Sequence, residues 1–275
     1  RKAIPFYGAL RQPAKAFVLL PTLLNYLNAA GIRDEDVTIV IAVGAHRLNT
    51  PKEFMELCGE ETCRRVKVVN HDCRDYSNMD YYGKTSRGTE VWLSKLIRQH
   101  DRLITTGGVI YHYAVGYGGG RKSIMPGISS LKTIQQCHMW CFNETVGLGA
   151  NPTTDCGITA GNPAHEDMME VAAFAPPDFI INTVPNFDGD VCAVFTGNWI
   201  SAWWQAVRLV EDMYGVSIEQ RADIVIASAG GYPKDINLYQ SVKWNSAAAR
   251  IVKPGSSIIL VAECRDGIPD YGEYA

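Results

Sequence analysis

No stretch of this 275-residue chain is apolar for long enough to cross a bilayer. Segments such as Ala16–Leu20 and Val37–Val43 stop far short of the roughly 20 residues a spanning helix needs. Charge of one sign is scarce as well. With 26 basic against 29 acidic residues, net charge −3 and a pI of about 6.1, the chain offers no basic surface for nucleic acid or an anionic membrane. No segment has the charged start and apolar centre of a secretory signal, and there is no repeat of fixed period and no low-complexity tract. Cysteine is present eight times, but paired cysteine motifs are not. The nearest pair, Cys137 and Cys141, is four residues apart with no matching second pair to complete a zinc site, so free thiols in a reducing cytoplasm are the expectation. What remains is 47% hydrophobic and 20% charged, the make-up of an ordinary globular protein with one large or two modest domains.

Within that frame, β-branched runs alternate with helical patterns. Phe17–Gly31 has apolar residues at helical spacing, with a start expected near Pro21 and a stop at Gly31. Val37–Val43 reads as a strand buried on both faces of a parallel sheet. Thr50-Pro51-Lys52-Glu53 is a capping box with proline at the first helical position. Further strands are expected at Val66–Val69, Arg102–Thr106, Phe179–Val184 and Val191–Phe195. Helices are expected at Val91–Gln99, from Ser129 or Ser130 to about Phe142, and at Trp199–Tyr214. After a polar connection near 216–221 come a strand at Asp223–Ser228, a helix from Leu238 to Arg250 and a strand at Ser257–Ala262. This order predicts an α/β protein of two Rossmann-like halves, with mostly parallel sheets flanked by helices. The division is expected at 1–216 and 217–275, and a single β-α-β unit makes the second domain look incomplete.

The densest chemistry lies in Tyr111–Gly127, which holds His112, the run Gly118-Gly119-Gly120 and the pair Arg121-Lys122. Glycine so concentrated carries an entropic cost that close approach or unusual φ/ψ angles would justify. The stretch fits neither nucleotide fingerprint: Arg121 occupies the second required glycine of Gly-x-x-x-x-Gly-Lys-Ser, and Arg121-Lys122 interrupt Gly-x-Gly-x-x-Gly. A phosphate held by backbone N–H groups beside Arg121 remains open as a non-catalytic alternative. His46, in Gly-Ala-His-Arg after the second strand, joins His112 and His138 on what should be one edge of one sheet, where α/β proteins bind ligands. His71, His100 and His165 sit in polar surroundings and are expected at the surface. Tyr239, Gln240 and Lys243 share a helix start suited to a small carboxylate.

Together these pieces resemble the nickel-dependent lactate racemase family, 2-hydroxyacid racemases that use a nickel-pincer nucleotide. The matching segments are Gly-Ala-His-Arg (44–47), the stretch 111–127, His138, Gly-Asn-Pro (161–163), the run 230–243 and Ala-Glu-Cys…Gly (262–267), in the family's order. The resemblance implies Lys122 as the lysine joined to the cofactor, pyridinium-3,5-bisthiocarboxylic acid mononucleotide, wrapped by Gly118, Gly119, Gly120 and Arg121. It implies His138 as the nickel ligand, His46 and His112 as acid/base histidines, and Arg11, Tyr239, Gln240 and Lys243 around the substrate. In the family's reaction one histidine deprotonates the hydroxyl while hydride moves to the cofactor, and the keto acid takes hydride back on its other face. Dedicated maturation proteins, a cytoplasmic setting and a small 2-hydroxy acid, lactate first, come with the same likeness. The family's Asp-x-Thr-Arg-Pro stands here as Gly8-Ala9-Leu10-Arg11-Gln12-Pro13, and relatives extend further at both ends, so an inactive shortened homologue is a further alternative.

Overall fold

The computed structural model describes residues 3–8, 15–232 and 234–268. Strand β1 (Ala3–Gly8) leads through helix α1 (Ala16–Ala29) to β2 (Thr38–Ala42), helices α2 (Pro51–Cys58) and α3 (Glu60–Arg65), and β3 (Lys67–Asn70). A hairpin of β4 (Met79–Lys84) and β5 (Glu90–Ser94) precedes β6 (Arg102–Gly108) and the short pair β7 (Tyr111–His112) and β8 (Gly116–Tyr117). Helices α4 (Leu131–Met139) and α5 (Pro163–Ala173), strands β9 (Phe179–Pro185) and β10 (Val191–Gly197), and helix α6 (Ser201–Tyr214) follow. Residues 215–221 then connect to β11 (Ala222–Ser228), α7 (Leu238–Ser241), α8 (Lys243–Ile251) and β12 (Val252–Val261).

Six strands form one sheet in the order β10-β9-β6-β1-β2-β3, all parallel except β10, which runs against β9. Strand β2 shows why its run is apolar throughout. Ile39 and Ile41 pack with Leu20 and Leu24 of α1, while Val40 and Ala42 face the opposite core with Leu93, Ile124 and Met125. A residue on either face must be apolar when both faces are covered. A third cluster gathers Trp203, Ala206 and Val210 of α6 against Tyr117 and Ile180. The C-terminal pair β11 and β12 is parallel and carries α8 on one side, whereas Ile224, Ile226, Ile259 and Val261 on the other are exposed. Among the described residues no helix is long and apolar enough to cross a membrane.

Several local expectations change. The segment Val91–Gln99 is not a helix: β5 buries Val91 and Leu93 while Trp92 turns to the rings of Tyr76 and Tyr81, an alternation of period two. Only Lys95–Ile97 forms a helical turn, of the 3-10 kind. Helix α1 begins at Ala16, with Pro21 inside it. The expected helix Leu238–Arg250 is two, divided at Val242. Helix α5 was not anticipated, although Asn162 caps it by accepting the His165 N–H and Pro163 opens it. His71 and His165 are buried rather than at the surface.

Candidate active site

Parallel strands bring their C-terminal ends to one edge, and the loops after β2 and β6 meet there. After β2, the turn carrying His46 is tied to the end of the glycine stretch: the Gly44 N–H donates to the Gly127 carbonyl at 3.1 Å. Arg47 points outward to pair with Glu53, whose carboxyl that guanidinium draws down to about 2. After β6 the chain turns through β7 and β8 and enters a 3-10 turn, Gly120–Ser123, which carries Lys122. Helix α4, capped by Ser130, delivers half-buried His138 in its last turn.

The glycines are explained by the protein's own packing. Trp203 donates its indole N–H to the Gly118 carbonyl at 2.8 Å, and the Gly120 N–H donates to Asn182 Oδ1 at 2.9 Å. Gly118 and Lys122 donate their N–H groups to the carbonyls of Ile110 and Gly119. A Cβ on Gly119 would lie 2.4 Å from Asn182 Oδ1, and one on Gly120 2.7 Å from the Trp203 ring. Three amides expected to cradle a phosphate are therefore already committed. Arg121 also departs from expectation. It is buried, lies 4.5 Å over the Trp203 ring and donates only to the Val115 carbonyl, with Nε and Nη1 unpartnered. Desolvation lowers this guanidinium to about 9.

Lys122 is where the electrostatics concentrate. Burial, with the Lys243 and Arg121 cations nearby, pulls its amine down to about 7. The same burial, with Lys122 and Lys243, takes the His138 imidazole to about 4, so it is neutral with a lone pair to offer. His112 is held well below its usual range by burial, then by Lys122, Lys243 and Arg121. These mutual influences bring His112, Lys122, His138 and Lys243 into one neighbourhood. Lys243 reaches it from α8, its Nζ 5.3 Å over the ring of Tyr113, which in turn stacks on His112 at 4.8 Å. Arg250 anchors α8 to the same region, donating to the Cys156 carbonyl at 2.9 Å and pairing with Asp155.

Gln240 is buried, and its Nε2 has no partner, an amide donor in want of an acceptor. Arg11 and the side chain of Tyr239 lie outside the described residues. Sequence reasoning missed Tyr113, which bridges His112 and Lys243, and Trp203, around which the loop is wrapped. The tryptophan-rich pattern of α6 was the available signal, but it marks only an amphipathic helix. Among the described residues no three His, Cys, Asp or Glu side chains converge on a metal position. A metal at His138 would thus draw its other donors from outside these side chains. A lysine amine lowered to about 7 at Lys122, with a neutral imidazole at His138 in the same neighbourhood, fits a lysine-linked, metal-binding cofactor that brings those donors itself.

Residues 10–149 match the family described as the lactate racemase N-terminal domain, and residues 217–274 the lactate racemase C-terminal domain. The chain belongs to the lactate racemase family. It is 35% identical over 263 residues to the lactate racemase of Thermoanaerobacterium thermosaccharolyticum, and 34% identical over 263 residues to that of Lactiplantibacillus plantarum. Each alignment takes in 96% of this chain but 60% of the relative, so the chain spans about three fifths of the length of the lactate racemases it matches. The lactate racemase apoprotein structure from T. thermosaccharolyticum superposes with a TM-score of 0.90 at 33% identity, covering 99% of this chain and 63% of that one. A Thermotoga maritima protein shares the fold, with a TM-score of 0.69 at 19% identity over 86% of this chain and 61% of that one.

Proposed function

We propose that this chain carries the reaction centre of a racemase for a small 2-hydroxy acid, lactate first, with malate or an aromatic hydroxy acid as the next candidates. The observation that carries this reading is the gathering of His112, Lys122, His138 and Lys243 around one sheet edge, with the Lys122 amine and both imidazoles pushed below their usual values by burial and neighbouring cations. In this reading Lys122 is joined to a nickel-pincer nucleotide and His138 ligates the nickel; when bound, that group supplies hydride acceptance and return at the substrate carbon. Lys243, with Arg11, holds the substrate carboxylate, and Gln240 gives its unpartnered N–H to a substrate oxygen. His46 and His112 serve the hydroxyl from the loops after β2 and β6. The division between the two parts of the chain lies near residue 216, so Gln240 and Lys243 approach from the second part. Maturation proteins deliver the cofactor, and eight free cysteines suit a reducing, cytoplasmic setting.

The rival reading, a phosphate-binding loop, is disfavoured by the commitment of the Gly118, Gly120 and Lys122 amides to protein acceptors. Incubating the cofactor-loaded protein with one pure lactate enantiomer and following optical rotation tests the proposal. Loss of optical purity is expected. Retention across several 2-hydroxy acids refutes it, and an adduct on Lys122 without racemisation marks an inactive homologue.

A further inference from the structure

Helix α8 reaches the site from the second part of the chain, and contacts at both of its ends tie it there. At its last turn Arg250 donates to the Cys156 carbonyl and pairs with Asp155. At its first residue Lys243 places its Nζ 5.3 Å from the centre of the Tyr113 ring. Tyr113 stands on a firm base. It opens the turn between β7 and β8, and the next two residues, Ala114 and Val115, are buried. Their carbonyls accept from Asn162 Nδ2 at 2.9 Å and from Arg121 Nη2 at 2.7 Å, so the turn cannot shift without breaking buried hydrogen bonds. The Tyr113 ring is half-buried against the core cluster of Ile124 and Met125, and it stacks on the His112 imidazole at 4.8 Å and 27°.

Lysine is a poor positioner by itself, because its flexible four-carbon stem disperses the ammonium. The surroundings add to the difficulty, since the charge of Lys243 is among the causes that lower the proton affinity of His112, Lys122 and His138. A carboxylate partner would fix the ammonium but cancel its charge. An aromatic face attracts it and leaves the charge for an anion that arrives later.

We propose that Tyr113 is a positioning residue: its ring holds the Lys243 ammonium beside His112, so that a carboxylate bound by Lys243 brings the hydroxyl of the same molecule to the imidazole. This role rests on the racemase reading, whereas the contact between ring and ammonium stands without it. In a 2-hydroxy acid the carboxylate and hydroxyl sit on adjacent carbons, so fixing one places the other. The carboxylate keeps its charge from hydroxy acid to keto acid. The contact therefore supports all bound species alike and belongs to KM more than to kcat.

In the cofactor-loaded chain, Tyr113→Leu is expected to raise KM for lactate about tenfold, with a smaller change in kcat. Tyr113→Phe keeps the ring face and should recover most of that loss. In a Lys243→Met background, Tyr113→Leu should add no more than about twofold, because the cation is already gone. A full tenfold rise there, or no recovery with phenylalanine, overturns the proposal. Arg250→Gln loosens the far end of α8 and leaves the ring alone. A KM rise from it as large as that of Tyr113→Leu shows that the ring merely docks the helix, and overturns the proposal as well. The contact itself is measured in the cofactor-free chain by urea unfolding of the parent, Tyr113→Leu, Lys243→Met and the double variant. A coupling of about threefold in the folding equilibrium is expected, and independent effects overturn the proposal. If that coupling is found in a chain that racemises no 2-hydroxy acid, the racemase reading fails while the hold of the ring on Lys243 stands.

Discussion

Gly120→Ala adds a single methyl group where the structure leaves no room. The new Cβ would stand 2.7 Å from Cδ1 and 2.8 Å from Cγ of Trp203, and the backbone there has φ +52°, in the left-handed region. The indole cannot step aside easily. It is 1% exposed, its N–H is bonded to the Gly118 carbonyl, and Arg121 and His165 lie against its ring. Left-handed backbone at a residue with a Cβ costs about 1–2 kcal/mol, and overpacking a filled core a further ~1–3 kcal/mol. The sum, roughly 2–5 kcal/mol, corresponds to a fall in Tm on the order of 10 °C for a protein of this size. Gly88→Ala is the control: it has φ +88° but no heavy atom within 4 Å of its would-be Cβ, so only backbone strain is added. Thermal unfolding followed by circular dichroism compares the two variants. Equal losses would refute the claim that Trp203, rather than φ alone, demands glycine at 120. Because Lys122 sits two residues on, Gly120→Ala should also lower the fraction of chains that acquire a mass adduct there.

Three further outcomes follow from particular residues. His165 is held at about 3 by burial and by Arg121, so the unfolded chain binds that proton first; its contribution to stability is complete above pH 6.5 and is lost as pH falls. At pH 5 the loss is about 2 kcal/mol, and urea midpoints at pH 7 and 5 should converge in His165→Gln relative to the parent. His138→Ala should abolish retained nickel by elemental analysis yet leave the mass adduct on Lys122, whereas Lys122→Ala should remove both. Thr50→Ala breaks the capping box in which Thr50 and Glu53 exchange hydrogen bonds, costing about 1 kcal/mol and lowering Tm by a few degrees.

Much of the sheet was legible because strands buried on both faces must be apolar at every position, as in β2, and because caps such as Thr50 and Ser130 announce helix starts. Segment 91–99 failed for the converse reason. Val91, Trp92, Leu93, Leu96 and Ile97 satisfy a helical spacing and a strand alternation alike, and the choice falls to Tyr76 and Tyr81, whose rings receive Trp92. Helix α5 does carry a local signature, since Asn162-Pro163 is an N-cap followed by a favoured first residue. At the site, likeness to the family named His112, Lys122 and His138, and the structure draws them together through shared burial and shared cations. It gave no hint that Trp203 shapes the loop.

Residue order alone was enough for the α/β alternation, the caps and the presence of an unusual glycine stretch, because each depends on neighbours a few positions apart. Why those glycines are needed was a tertiary matter. Asn182 and Trp203 lie 62 and 85 residues further along the chain, and they hydrogen-bond to the glycine loop and close the space that side chains there would need. The lowered proton affinities of Lys122, His138 and His112 arise in the same way, since desolvation and a lysine from a distant helix cause them, and no local pattern encodes either.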